Sequence, residues 1–228
     1  MMLPLQYVTN VITPVMHPIL TSLQDDYKSL TEKYNKIIKL IATISFPLGV
    51  FLYFAADNII YIVYGDRWEK AIPVFQILAL SLPLQMILST TGAIYQAAGK
   101  TNWLFYGGLS NTCCTVIGFI IAAVYFRTIE SMAWAWDITL LINAVISYGI
   151  LYRVVLKQSV KGMLKLYILP MQTALFLAIL LFGLKCIELP NDPILQFLSK
   201  SFVSFIFCIG FIQITGQYHL TDLLHRKK

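Results

Sequence analysis

The sequence is poor in charge. Asp, Glu, Lys and Arg make up 12% of its 228 residues, about half the roughly 25% of an ordinary soluble domain. Histidine occurs three times. The four cysteines (Cys113, Cys114, Cys186 and Cys208) show no CxxC spacing and no histidine partner, which argues against a zinc module or a disulfide framework. Lying in or beside apolar segments, they read as small buried hydrophobes. No P-loop, GxGxxG, HExxH or GxSxG motif is present. Connectors are too short to house a soluble catalytic domain, so the chain does not read as an enzyme. The first segment has no basic leader region and is interrupted by Pro4, Pro14 and Pro18, so it does not read as a signal peptide.

What is abundant is apolar surface, at 58% of residues. A helix rises about 1.5 Å per residue, so about 20 apolar residues cross a bilayer core. On that measure the chain has seven spans: Leu3–Leu23, Ile37–Tyr64, Ala71–Ala98, Trp103–Phe126, Met132–Tyr152, Leu164–Leu184 and Ile194–Thr215. These segments are too long and too unalternating for barrel strands. The expected fold is therefore all-α, a polytopic membrane helix bundle.

The basic residues sort by connector. Lys28, Lys33, Lys36, Lys39, Lys100, Arg153, Lys157, Lys161, Lys165, Arg226, Lys227 and Lys228 fall on one side, twelve in all. Five fall on the other: Arg67, Lys70, Arg127, Lys185 and Lys200. The positive-inside rule puts the richer side, including the C-terminus, in the cytoplasm and the N-terminus outside. A net charge of +6 could attract nucleic acid in a soluble protein, but here the cations flank apolar spans and suit lipid headgroups. Lys157, Lys161 and Lys165 sit at i, i+4 and i+8, a spacing that would make a basic stripe or a plain cytoplasmic linker. The connector Gln24–Lys36 is expected to extend the first span as a helix. Lys200, just inside the last span, is expected to snorkel outward.

Polar residues within spans need a reason to be there. His17, Asn111, Asp137 and Asn143 are candidate substrate-binding residues. Asp137 could bind a proton or a sugar hydroxyl, or sit as an interfacial acid beside Trp134 and Trp136. His17 could meet a phosphate or pack at headgroup level. Asn111, Asn143 and Gln85 could equally hydrogen-bond between helices, and Gly107, Gly108 and Gly118 would let helices approach closely. Pro47 and Pro83 are expected to kink their helices.

Three stretches carry a family resemblance. They are PVMHPILTSLQDD from Pro14, IIYIVYGDRWEKAIPVFQILAL from Ile59 with a G-x-x-W-x-x-A arrangement, and IYQAAGKTNWLF from Ile94. Together these resemble the polysaccharide biosynthesis and oligosaccharide flippases, the Wzx-like proteins of the MOP superfamily, over roughly residues 1–155. The resemblance implies two helix bundles facing a central cavity. It implies an undecaprenyl-diphosphate-linked oligosaccharide as substrate and partner, moved across the bacterial cytoplasmic membrane, with polysaccharide polymerisation or export proteins acting next. Family members are much longer, so the match is to the C-terminal half alone. Residues 1–155 would form five spans of that partial bundle, and residues 156–228 two further spans and a basic tail. The N-terminal bundle, with most of the family's cationic cavity residues, has no counterpart. Gly65, Trp68, Gly99 and Lys100, the positions matched by motif, would be structural. No cofactor or metal is implied, although coupling to a proton or sodium gradient would suit such a machine. Two alternatives stay open: a cation-coupled small-molecule exporter of the same superfamily, and a truncated, non-transporting membrane protein.

Overall fold

The computed structural model describes residue 20 and residues 26–185 and 192–214. Among these, six helices are long and apolar enough to cross a membrane: Tyr27–Phe54, Asp66–Ala97, Thr101–Phe126, Ile129–Val155, Gly162–Lys185 and Pro193–Phe211. They match six of the seven expected spans. The expected span Leu3–Leu23, its histidine His17 and the C-terminal tail lie outside the described residues.

Helix α1 (Tyr27–Phe54) begins at a capping residue. The Asp26 carboxylate accepts the backbone N–H groups of Lys28 and Ser29 and the Ser29 hydroxyl. Such a cap satisfies the open donors of a first turn. The Ser29 hydroxyl and backbone N–H, joined by that of Lys28, hold the exposed Asp26 carboxyl below its ordinary range. The polar stretch from Tyr27 therefore starts a new helix, where an extension of the preceding one was expected. Helix α1 breaks at Ala55, and α2 (Ala56–Tyr64) follows.

Gly65 ends α2 with φ +78°, a backbone region that favours glycine. A tight turn, Asp66–Ala71, leads into α3 (Ile72–Leu88), which breaks at Ser89–Thr90 before α4 (Thr91–Ala97). Gly99 then turns with φ +65°, and the Lys100 N–H bonds back to the Tyr95 carbonyl, closing α4. Helix α5 (Thr101–Ile121) widens in its last turn, where the Arg127 N–H reaches the Ala122 carbonyl five residues back. Helix α6 (Ile129–Ile150) continues through Leu151–Val155. Helices α7 (Val160–Lys185) and α8 (Pro193–Ile214) complete the bundle.

The expected prolines do not mark the breaks. Pro47 and Pro83 both lie within continuous helix, and the interruptions fall several residues further on, at Ala55 and Ser89–Thr90. The lysine stripe is also broken. Lys157 adopts φ +53° ahead of α7, so it does not share that helix's face.

Helix α1 packs against α3 and α7, and α6 packs against α3 and α5. Tyr34, Ile38, Leu82, Met86, Ile94, Leu151 and Tyr152 are buried where these helices meet. Helix α5 buries none of its residues from Thr101 to Ile121. Phe105, Leu109, Ile117 and Ile120 are exposed along it, the outside expected of a helix facing lipid. Cys113 is likewise exposed, and Cys114 and Cys208 are half-buried, so these thiols are not the core residues expected from sequence. Neither bundle edge nor core depends on Gly107 or Gly108, since a β-carbon at either would meet nothing within 4 Å. Gly118 does mediate close packing: a β-carbon there would lie 2.7 Å from Thr139 Cγ2 on α6.

Candidate functional site

A groove of about 840 Å³ runs between α1, α3, α6 and α7. Its walls are almost wholly apolar: Phe46 and Val50 from α1, Leu84 and Ile87 from α3, Ala144 and Val145 from α6, and Met171 and Ala174 from α7. Arg153, just beyond the end of α6, is the one charged lining residue among those described. Its side chain is exposed, so the guanidinium is available to solvent and ligand. The groove thus combines a long apolar wall with a cation at one end. Amphiphiles with a short anionic head have that shape and polarity.

Of the candidate binding residues, the described ones, Asn111, Asp137 and Asn143, do not line the groove. Asn143 accepts a hydrogen bond from Ser147 one turn further along its own helix, at 3.1 Å. Asn111 sits half-buried on α5, its carbonyl accepting the Thr115 hydroxyl at 2.8 Å. Gln85 bonds to Ser81 within α3 at 3.0 Å. These recorded bonds of Asn143 and Gln85 therefore run along a helix, where bonds between helices were one expectation. Asp137 lies one helical turn before the groove-lining residue Leu141. One of its carboxylate oxygens is buried and without a hydrogen-bond partner. It is thus not simply a solvated acid beside Trp134 and Trp136.

The motif residues all stand at turns. Gly65 and Gly99 hold the two positive-φ turns described above, and the Trp68 N–H bonds to the Gly65 carbonyl at 3.1 Å. The Trp68 ring lies against Tyr64, with centroids 5.7 Å apart. Lys100 precedes α5, and its carbonyl accepts the Trp103 N–H.

Four tyrosines, none of them singled out from the sequence as a site, bond between helices. Tyr34 on α1 bonds to Thr90 at the α3–α4 break, at 3.2 Å. Tyr148 on α6 donates to the Ile87 carbonyl at 3.1 Å, and Tyr95 on α4 donates to the Ser147 carbonyl at 3.1 Å. Tyr152 donates to Asn35. All four tyrosines are buried. Tyrosine couples a large apolar ring to one polar atom, which suits it to this task. The one visible signal was the pair Tyr148 and Tyr152, four residues apart on one helix face.

A second cluster holds the α1–α2 break. Lys200 of α8 points inward, with its side chain 7% exposed. Its ammonium donates to Asn58 Oδ1 at 2.6 Å, to the Phe54 carbonyl at 2.9 Å and to Asp57 at 3.4 Å. Asn58 in turn donates to Gln196 at 3.1 Å. Snorkelling was the wrong expectation, because the broken helix supplies acceptors that lipid cannot.

The family model described as "Polysaccharide biosynthesis protein" matches residues 1–73. An uncharacterized membrane protein from the cps region of Klebsiella pneumoniae is 27% identical over 182 residues, 78% of this chain and 36% of that one. The lipopolysaccharide biosynthesis protein WzxC of Escherichia coli is 26% identical over 155 residues, 65% of this chain and 30% of that one. In fold, 98% of the chain matches 46% of the lipid II flippase MurJ in an inward closed conformation, with TM-score 0.72 and 19% identity. The chain is thus similar in sequence to polysaccharide biosynthesis membrane proteins and in fold to a helix bundle of the MurJ kind, and it spans about a third of the length of the curated relatives it matches, 36% and 30%.

Proposed function

We propose that the chain forms one helix bundle of a flippase that carries lipid-linked oligosaccharide, of the undecaprenyl-diphosphate type, across the bacterial cytoplasmic membrane for surface polysaccharide export. The observation that carries this reading is the apolar groove ending at Arg153. A polyprenyl chain is a long hydrocarbon that can lie along such a wall. A diphosphate is a compact anion that a guanidinium pairs with in two parallel hydrogen bonds. The relatives support the same substrate class, being proteins of polysaccharide biosynthesis. They give no support to a small-molecule exporter.

Arg153 shares its connector with Lys157, Lys161 and Lys165, on the side where basic residues concentrate. By the positive-inside rule that end faces the cytoplasm, as does the C-terminus. Lipid-linked glycan would then load at the leaflet where its diphosphate meets Arg153. Alternating access needs a second wall across the cavity from this bundle, against which it can rock. Glycan delivered to the outer leaflet would pass to polymerisation and export proteins, the protein partners this reading implies.

Binding of a polyprenyl-diphosphate oligosaccharide to the purified chain in nanodiscs tests the reading. The Arg153→Gln variant should weaken binding about 10- to 100-fold, the equivalent of about 1.5–3 kcal/mol for hydrogen bonds to a charged group. Uncharged polyprenol should bind both proteins equally. Equal affinity of both proteins for the diphosphate would refute Arg153 as its partner.

A further inference from the structure

Asp137 presents a hydrogen-bonding problem that the groove does not explain. Its buried Oδ1 has no partner. Ser81 is buried on the neighbouring α3. The Ser81 hydroxyl already donates its one proton to the Leu78 carbonyl at 3.0 Å, and it accepts from Gln85 at 3.0 Å. A hydroxyl has one proton and two lone pairs. With these two bonds made, Ser81 keeps one lone pair to accept a proton and has none left to donate. An ionised carboxylate needs donors, and the buried Oδ1 has none.

Among the described residues, the helices packed around Asp137 add no cation. Helix α3 carries no ionisable residue between Ile72 and Leu88. On α5 the residues at this level are Gly118 and Phe119, packed against Ala135, Thr139 and Trp136; its ionisable groups are Tyr106, Cys113 and Cys114. The turn Ala122–Phe126 contributes Tyr125, and α6 itself carries Glu130 seven residues earlier. An isolated carboxylate in such a setting is costly, and taking up a proton is the cheaper response.

We propose that Asp137 is a proton-binding site at the α3–α6 interface. A proton from water adds to the carboxylate on loading, and the same O–H bond breaks on release. Asp137 and Arg153 are sixteen residues apart on one helical segment, about 24 Å at about 1.5 Å per residue. The proton site therefore lies beyond the groove from its cation. Proton binding does not depend on the transport reading. Use of that proton to drive flipping does.

Infrared titration of the full chain in nanodiscs tests the assignment. A protonated-carboxyl stretch should persist at neutral pH in the wild type, disappear in Asp137→Asn and return in Asp137→Glu. The titration should be the same in sodium chloride and choline chloride. A neutral-pH spectrum unchanged by Asp137→Asn would overturn the proposal. So would a midpoint that moves with sodium, which would mark a metal-cation site instead.

Discussion

Gly49 on α1 lies against the proline of α3. A β-carbon at Gly49 would stand 2.9 Å from the Ala79 carbonyl oxygen and 3.1 Å from Pro83 Cδ. The contact has a cause in Pro83. Lacking an N–H, Pro83 cannot bond to the carbonyl four residues back, which is that of Ala79. That carbonyl and the proline ring fill space where only a residue without a side chain fits on the opposing helix.

Gly49→Ala should therefore destabilise the bundle. Helix propensity would favour alanine by up to about 1 kcal/mol. Overpacking against backbone costs about 1–3 kcal/mol, so the clash wins. Gly49→Val should cost more. Gly107→Ala, at a site with nothing within 4 Å, should be neutral or stabilising. Thermal or denaturant unfolding in detergent, run on all three variants, would show whether stability follows this order. Equal behaviour of Gly49→Ala and Gly107→Ala would contradict the close contact.

Tyr148 and Tyr34 stitch the second helix break. The Ile87 carbonyl accepts from the Tyr148 hydroxyl at 3.1 Å and from Thr90 Oγ1 at 2.7 Å, while Tyr34 bonds to that Thr90 oxygen. Each Tyr→Phe change removes one bond and keeps the ring. Within membranes such bonds average about 0.6 kcal/mol. A single change should be near that value, because the Thr90 bonds still serve the Ile87 carbonyl. The Tyr34→Phe/Tyr148→Phe double variant should lose more than the sum of the two, since both bonds converge on one break. A double-mutant cycle measures this directly, and strict additivity would show that the two bonds act independently.

The contrast between helices and contacts explains what could be read from sequence. Hydrophobic length placed the six described spans because it depends on composition along one segment. Facing was harder. Nothing in the order of residues says that Gly118, and not Gly107 or Gly108, meets the neighbouring helix. Gly65 and Gly99 were legible as turn residues because backbone conformation is a local demand. The groove was not, since four helices build it and only Arg153 is charged. Lys200 was misread for the same reason. A lysine near a helix end can reach water or an inward acceptor, and the acceptors here come from a distant break at Ala55.

That break gives the last prediction. Lys200 gathers the Phe54 carbonyl, Asn58 and Asp57 around one ammonium, tying α8 to the joint between α1 and α2. Removing one partner of a buried ion pair costs about 3–5 kcal/mol. Asp57 retains 39% of its side-chain exposure, so water can take over part of its charge and the loss should fall below that range. Lys200→Met keeps the stem but leaves Asn58 Oδ1 and the Phe54 carbonyl without their shared donor. An unsatisfied buried acceptor costs about 1–3 kcal/mol, which sets the expected loss. The second variant, Asp57→Asn, removes the opposing charge and leaves the two shorter bonds in place, so it should cost less than Lys200→Met. Hydrogen exchange around Ala55 would locate the effect: amides near the break should open faster in Lys200→Met, with α5 unchanged. If instead exchange rose uniformly across the bundle, Lys200 would be a general packing residue, with no special hold on the joint.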